Sequence, residues 1–374
     1  MADFFESKKS AAILKHAILS RYLVPFTAKT GSRSPQGRVA FVDGYAGEGR
    51  YEDGEPGSPA LAIKTARDLL TMPRRLECMF VERDNKAFGR LKAMVEAEAG
   101  GIAARAVHGE INDHLDDVLT FAEGIPLLLF LDPYGLMIPF DSAIKPWGRP
   151  NNRGAAATEV LINFNAGAVR RICGLLVSGN GPQATLGRMD EVCGGDWWRN
   201  TWRAAMPDKD TAEKAVVAEY ARRLATDGRC GYRVTEVKNK PHHKAVYYLL
   251  FLTRHPDGMY VYGEAASKGL EQWRHAVTLG DYDEAMLFDP EVIFKTDETV
   301  LRDRWIAEIE KNLSAELSKG QAFRVVDRYA TVFGSTVGLA RELHLRAAWK
   351  RLYPGFTRTP PTGQRLFEKW IEPA

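Results

Sequence analysis

The sequence has only four cysteines in 374 residues, and none stands in a C-x-x-C pair. Cys78, Cys173, Cys193 and Cys230 lie far apart, which argues against a zinc ribbon or an iron–sulfur centre and suits free thiols in a reducing cytosol. Long apolar runs are missing as well. The longest, around Pro126–Leu131, falls far short of the roughly 20 residues a membrane span needs. The stretch up to Leu23 carries charges throughout, without an uninterrupted apolar core or a small-residue cleavage site. It reads as an amphipathic helix and not as a secretion signal, so a cytoplasmic location is expected. A surplus of one charge is also absent: 51 Lys/Arg against 48 Asp/Glu leave a net charge of +3. Nucleic-acid binding therefore cannot be read from global charge, and any basic surface must be local. Internal repeats and low-complexity segments are lacking too.

What is present is an ordinary folded composition, 45% hydrophobic and 26% charged, in a chain long enough for two domains or one extended α/β domain. Strand and helix signals alternate from Arg38 to Asn165. Strands are expected at Arg38–Asp43, Leu76–Glu82, Ala103–His108, Ile125–Leu131 and Thr158–Phe164, with helices at Ser58–Leu70, Asn85–Glu98 and Asn112–Ala122 between them. Ile125–Leu131 is apolar on both faces, as a central parallel strand should be. The pattern then changes. Val169–Met206 is helical and rich in tryptophan, Ala212–Thr226 is a further helix, and Tyr232–Lys238 with Val246–Thr253 form an antiparallel hairpin. A parallel sheet closed by such a hairpin is the outline of a class I methyltransferase, a Rossmann-like α/β fold with a mixed sheet. The expected domains are an N-terminal helical element (1–37), a methyltransferase-like domain (38–270) with a helical insertion at about 169–228, and a C-terminal helical or winged-helix module (271–374). From Gln321 onward nine Lys/Arg face four Asp/Glu. Arg341, Arg346, Lys350 and Arg351 are the candidate phosphate contacts there, and a helical cap on the main domain is the alternative.

Four constellations could carry chemistry. In FVDGYAGEGRYEDGEPGSPALA, a strand ends in Asp43 and turns through Gly44, Ala46, Gly47 and Gly49. Small residues let a nucleotide approach the backbone, and the following helix offers free N–H groups. Glu52 stands where the third glycine of G-x-G-x-x-G would be, so the dinucleotide fingerprint fails. D-G-x-A-G-x-G suits S-adenosylmethionine, which has no pyrophosphate and whose amino end an acid can hold; an ordinary tight turn has the same spacing. Glu82 closes the second strand, where a carboxylate commonly accepts both ribose hydroxyls. Glu110, after the third strand, occupies a position suited to the adenine amino group, although the helix dipole explains an acid there too. In LLLFLDPYGL the central strand delivers Asp132, Pro133 and Tyr134. These supply a carboxylate acceptor, a backbone carbonyl and a flat aromatic face for a conjugated amine. Asn163 and Phe164 end the fifth strand and are candidates for the far wall of the same pocket. The basic turn Lys238–Lys244 holds His242 and His243 without the partners of a metal site, and no metal is expected.

The order D-G-x-A-G-x-G, P-G-S-P, F-V-E-x-D, F-L-D-P-Y-G, E-V-L-I-N-F resembles the three-Cys-motif partner (TcmP) family, over about residues 10–270. Lys15–Leu23 and His255-Pro256-x-Gly258 fit the same family, whose members are bacterial and often end in a winged helix. The resemblance implies a partner that bears three cysteines and is itself similar to radical S-adenosylmethionine enzymes. Pro56-Gly57-Ser58-Pro59 and Asp132-Pro133-Tyr134 are also similar to N6-adenine methyltransferases of DNA or ribosomal RNA. Those carry D-P-P-Y, and the single proline here shifts the aromatic by one position. The resulting expectation is an S-adenosylmethionine-dependent methyltransferase acting on an amino group of a nucleic acid. Its rivals are a non-catalytic methyltransferase-like module that recognises nucleic acid or a partner protein, for instance in phage defence, and an enzyme using another adenosine cofactor.

Overall fold

The computed structural model describes residues 2–135, 138–150, 156–178, 182–280, 289–353 and 366–371. Two compact units form, Leu19–His255 and a second from Met1–Ile18 with Pro256–Ala374. In chain order the elements up to the hairpin are α1 (Ala2–Gly31), β1 (Arg38–Asp43), α2 (Ser58–Asp68), β2 (Arg75–Glu82), α3 (Asn85–Glu98), β3 (Ala104–His108), α4 (Leu115–Phe121), β4 (Leu127–Leu131), α5 (Phe140–Ile144), β5 (Thr158–Asn165), α6 (Ala166–Ser178), α7 (Gln183–Cys193), α8 (Trp197–Ala205), α9 (Lys209–Gly228), β6 (Gly231–Lys238) and β7 (Ala245–Thr253).

The strands make one seven-stranded sheet in the order β3-β2-β1-β4-β5-β7-β6. The first five are parallel, and β7 pairs antiparallel with both β5 and β6. This is the sheet of a class I methyltransferase, as expected from the alternation and the closing hairpin. β4 begins at Leu127 rather than Ile125, because Pro126 has no N–H for the ladder. Asp84 caps α3 through the Ala87 N–H, as its place before the helix predicts.

The two faces of the sheet differ. Ala40, Val42, Met79, Val81, Leu127, Leu129, Leu131, Val160, Ile162 and Phe164 pack into one core with the helices from α4 to α9. Successive strand residues point to opposite faces. Phe41, Phe80, Leu128, Phe130 and Leu161 therefore face the other side, where Tyr22 of α1 meets Phe251 of β7 edge to face at 5.1 Å. Both faces are covered, which is why all five residues of β4 are buried.

The other unit contains α10 (Pro256–Gly280), α11 (Pro290–Leu317), β8 (Phe323–Arg324), α12 (Tyr329–Phe333), α13 (Glu342–Leu352) and β9 (Trp370–Ile371), with β8 and β9 antiparallel. Its core gathers Trp305, Ile309, Leu313, Val325, Phe333, Leu345 and Phe367, and Tyr260 stacks on Phe367 at 3.6 Å. The boundary expected at 270 falls inside α10, a helix the sequence reading did not resolve. The turn-rich segment with Pro354, Pro360 and Pro361, where a wing would fall, lies outside the described residues. The basic face expected here is shared with acids. Arg341 pairs with Glu271 at 2.7 Å, Arg346 with Glu342 at 3.1 Å, and Arg351 with Asp303 at 3.7 Å and Glu310 at 3.5 Å. The charge count from Gln321 onward omitted the acids of α10 and α11, which pair with Arg341 and Arg351, while Arg346 pairs with Glu342 within α13. Among the described residues, no helix is long and apolar enough to cross a membrane.

Candidate active site

β1 and β4 are neighbours in the sheet but not in the chain, so the order of connection reverses between them. Open α/β sheets hold their ligands in the crevice at such a point, beyond the carboxyl ends of the strands. Asp43 ends β1, Glu82 ends β2, Asp132 follows β4 directly, and Asn163 lies near the end of β5. Strand alternation puts Asp43, Glu82 and Asn163 on the face opposite Phe164. Asn163 Nδ2 donates to Asp132 Oδ1, so the two meet there.

The glycine loop is built by its own hydrogen bonds. Asp43 is fully buried. Its Oδ1 accepts from the Tyr45 N–H at 3.0 Å and its Oδ2 from the Ser58 hydroxyl at 2.6 Å. The carboxylate ties the loop to the start of α2 and thereby shapes it. The Gly44 N–H goes to the Phe130 carbonyl at 2.9 Å, and that of Ala46 to the Val81 carbonyl at 3.0 Å. Gly47 and Gly49 both have positive φ, +61° and +84°. A Cβ on Gly49 would come within 2.3 Å of Met94, whereas one on Gly47 would point into open space. Backbone conformation thus favours glycine at both positions; Gly49 also packs closely on Met94 of α3, whereas the outer side of Gly47 is left clear.

Glu82 is held from two sides. Its Oε2 accepts from the Gly47 N–H at 2.8 Å and its Oε1 from the Asp84 N–H at 2.7 Å. A carboxylate has about four lone-pair sites, so each oxygen keeps capacity for a further donor. The arrangement is a preorganised carboxylate locked to the loop it adjoins. Glu110 is exposed and pairs with Arg83 at 3.2 Å. Tyr45, which the sequence reading passed over, is half-buried nearby. Burial, then the charge of Glu110, raise its phenol well above the ordinary value, and Arg188 and Arg83 oppose them.

Across the crevice Pro133 is buried and the Tyr134 ring is fully exposed. Asn163 is 8% exposed, while Phe164 is wholly buried with its ring 5.0 Å from that of Tyr220. Two consecutive residues of one strand face opposite ways, so Phe164 supports the floor beneath the helices and does not share a wall with Asn163. The structure brings Asp43, Gly44, Ala46, Gly47, Gly49 and Glu82 into one loop system, and Asp132, Pro133, Tyr134 and Asn163 into another at the adjacent strand ends. Leu136 of the D-P-Y-G-L stretch lies outside the described residues. Ser58 is a residue that sequence reasoning left without a role, though its place in P-G-S-P just ahead of a helix was the available signal. Among the described residues no cluster of His, Cys, Asp and Glu is arranged to hold a metal ion.

No protein-family model matches the chain, and no curated protein matches it. Several solved structures are similar. Trm1 from Pyrococcus horikoshii, in complex with S-adenosyl-L-methionine, is 15% identical with a TM-score of 0.36 over 65% of this chain and 55% of that one. A putative rRNA methylase from Clostridium thermocellum is 10% identical, with a TM-score of 0.30, over 62% and 97%. An O-methyltransferase from Bacillus cereus in complex with SAH is 10% identical, with a TM-score of 0.33, over 66% and 90%. Similarity of this degree leaves the fold to be read from the sheet order and strand directions described above.

Proposed function

We propose that the chain is an S-adenosylmethionine-dependent methyltransferase acting on an amino group of a nucleic acid. The observation that carries this reading is the placement of two carboxylates, the doubly held Glu82 and Asp132, at the carboxyl ends of the strands on either side of β1, where the strand order reverses. The residues suit the cofactor: Gly47 presents a clear outer side, and Glu82 has capacity for two hydroxyl donors. Gly44, Ala46, Gly47 and Gly49 would line its methionine end, with Asp43 holding their loop in shape, Glu82 would take the ribose, and Glu110 would lie near the adenine. When bound, S-adenosylmethionine would supply a methyl group from its cationic sulfonium, the sulfur–carbon bond breaking with its electron pair left on sulfur as a neutral thioether.

The protein's own part is placement and charge. The exposed Tyr134 ring offers a flat surface to a base, and the Pro133 carbonyl and Asp132 accept from its amino group. As the nitrogen lone pair forms its new bond to carbon, positive charge develops on nitrogen. Asp132 opposes that charge and can receive the proton released afterward. Alignment and exclusion of water do the rest. Partnership with a three-cysteine protein similar to radical S-adenosylmethionine enzymes rests on the motif order alone.

The first test is mass spectrometry of the purified protein for copurified S-adenosylmethionine or S-adenosylhomocysteine. Label from S-adenosylmethionine should then enter cellular DNA or RNA. Asp132→Asn should lower transfer at least about a hundredfold, in line with losing a group that acts in the transition state, while cofactor affinity stays within a few-fold. Bound cofactor without transfer into any fraction would favour the non-catalytic binding module, the reading that the single proline of Asp132-Pro133-Tyr134 supports.

A further inference from the structure

Asn163 is placed at a cost. The residue is 8% exposed, and its Oδ1 is buried with no hydrogen-bond partner among the described residues. The amide cannot turn to relieve this. The Asp132 carboxylate is an acceptor, so the nitrogen must face it and the oxygen must face away. A stranded buried carbonyl destabilises a fold, and an apolar side chain of similar volume would avoid that loss. The surroundings favour an apolar residue: Asn163 is in register with Leu249 of β7, and Leu161 precedes it on the same face. Every other described residue of β5 from Val160 to Phe164 is apolar. An amide stands among apolar neighbours, and its side-chain hydrogen bond among the described residues goes to Asp132.

We infer that Asn163 is a positioning residue of the methyl-transfer site, holding the Asp132 carboxylate in the orientation that receives the acceptor amine. The inference rests on the role given to Asp132 above and adds the group that fixes it. With Oδ1 of Asp132 tied to a side chain on the neighbouring strand, the carboxylate cannot rotate about its Cβ–Cγ bond without breaking that tie. The donor is neutral. An arginine or lysine here would cancel the charge of Asp132 as well as fix it, whereas an amide fixes the group and leaves its negative charge to face the developing cation. Register supplies the geometry: Leu131 pairs with Ile162, so the next residue on each strand brings Asp132 beside Asn163.

Two variants test this in the full-length chain, with total cellular RNA and DNA as the acceptor pool and label from S-adenosylmethionine as the readout. Asn163→Leu should melt at or above the wild-type temperature and bind S-adenosylhomocysteine within a few-fold. Its kcat should fall at least about tenfold with KM little changed, because the acceptor still binds while the carboxylate has lost the donor that orients its Oδ1. Asn163→Asp places two carboxyl groups in contact, and such a pair shares a proton. It should transfer methyl groups at acidic pH, where the introduced carboxyl can donate to Asp132, and lose activity as pH rises, a loss wild type does not show. A folded Asn163→Leu that binds cofactor and retains wild-type kcat would overturn the positioning role and leave the methyltransferase reading standing. Wild type that transfers no label would overturn both.

Discussion

Glu159 offers a quantitative test of how the sheet is built. It lies near the start of β5, at the opposite end of the sheet from the candidate site, and is 2% exposed. Tyr22 donates to its Oε2 at 2.5 Å and Thr253 to its Oε1 at 2.9 Å. Burial raises its pKa from the ordinary 4.5 to about 7, although both hydrogen bonds pull the other way. The folded state therefore binds its proton more tightly than the unfolded state does. The stability this contributes is complete below the unfolded pKa and is lost as pH rises through about 7. At ~1.4 kcal/mol for each pKa unit, the difference between the two limits is about 3 kcal/mol. Glu159→Gln replaces the carboxyl by a group that never ionises. Its nitrogen cannot accept from Tyr22 or Thr253, so one hydroxyl must turn, at a cost of about 1 kcal/mol. The variant should be slightly less stable than wild type near pH 5 and more stable by about 2 kcal/mol near pH 8.5, a reversal of sign. Urea titrations across that range, read by hydrogen exchange of the β5 peptide, would measure it. A variant-minus-wild-type difference that is the same at both ends would show that Glu159 does not titrate in this window, and the argument from burial would fail.

Glu82→Gln keeps the side chain's shape but removes an acceptor from a carboxylate that binds two backbone donors. Affinity for S-adenosylhomocysteine should drop by about 1–3 kcal/mol in calorimetry; unchanged binding would mean the pocket lies elsewhere. His344 should act on pH with the opposite sign to Glu159. Burial, then the charges of Arg341 and Arg302, lower its pKa to about 4, and its Nδ1 accepts from the Arg341 N–H at 2.8 Å. The stability it contributes is complete above the ordinary value of 6.5 and is lost as pH falls toward 4. His344→Gln should flatten that acid-side loss of protection in α13, and an unaltered slope would exclude the histidine as its source.

The sequence by itself determined most of the sheet. An all-apolar run such as Leu127–Leu131 is stable only between two covered faces, and its acid-and-glycine ending marks the carboxyl edge. β1 and α3 begin and end where the local pattern places them, because Asp43 with its glycine turn and Asp84 as a cap are short-range signals. The candidate loop was legible for the same reason, as Gly47 and Gly49 answer to backbone conformation and close packing. What the sequence could not show were relations between distant segments. Arg341 and Arg351 looked free because their acids stand on α10 and α11, tens of residues upstream. Asn163 and Phe164 looked equivalent as neighbours until sheet pairing fixed which face each occupies. The tie from Asn163 to Asp132 spans 31 residues and exists only because β4 and β5 lie side by side. Local conformation follows from neighbours in the chain, whereas charge pairing, burial and the aim of a side chain depend on strand register, which only the tertiary structure decides.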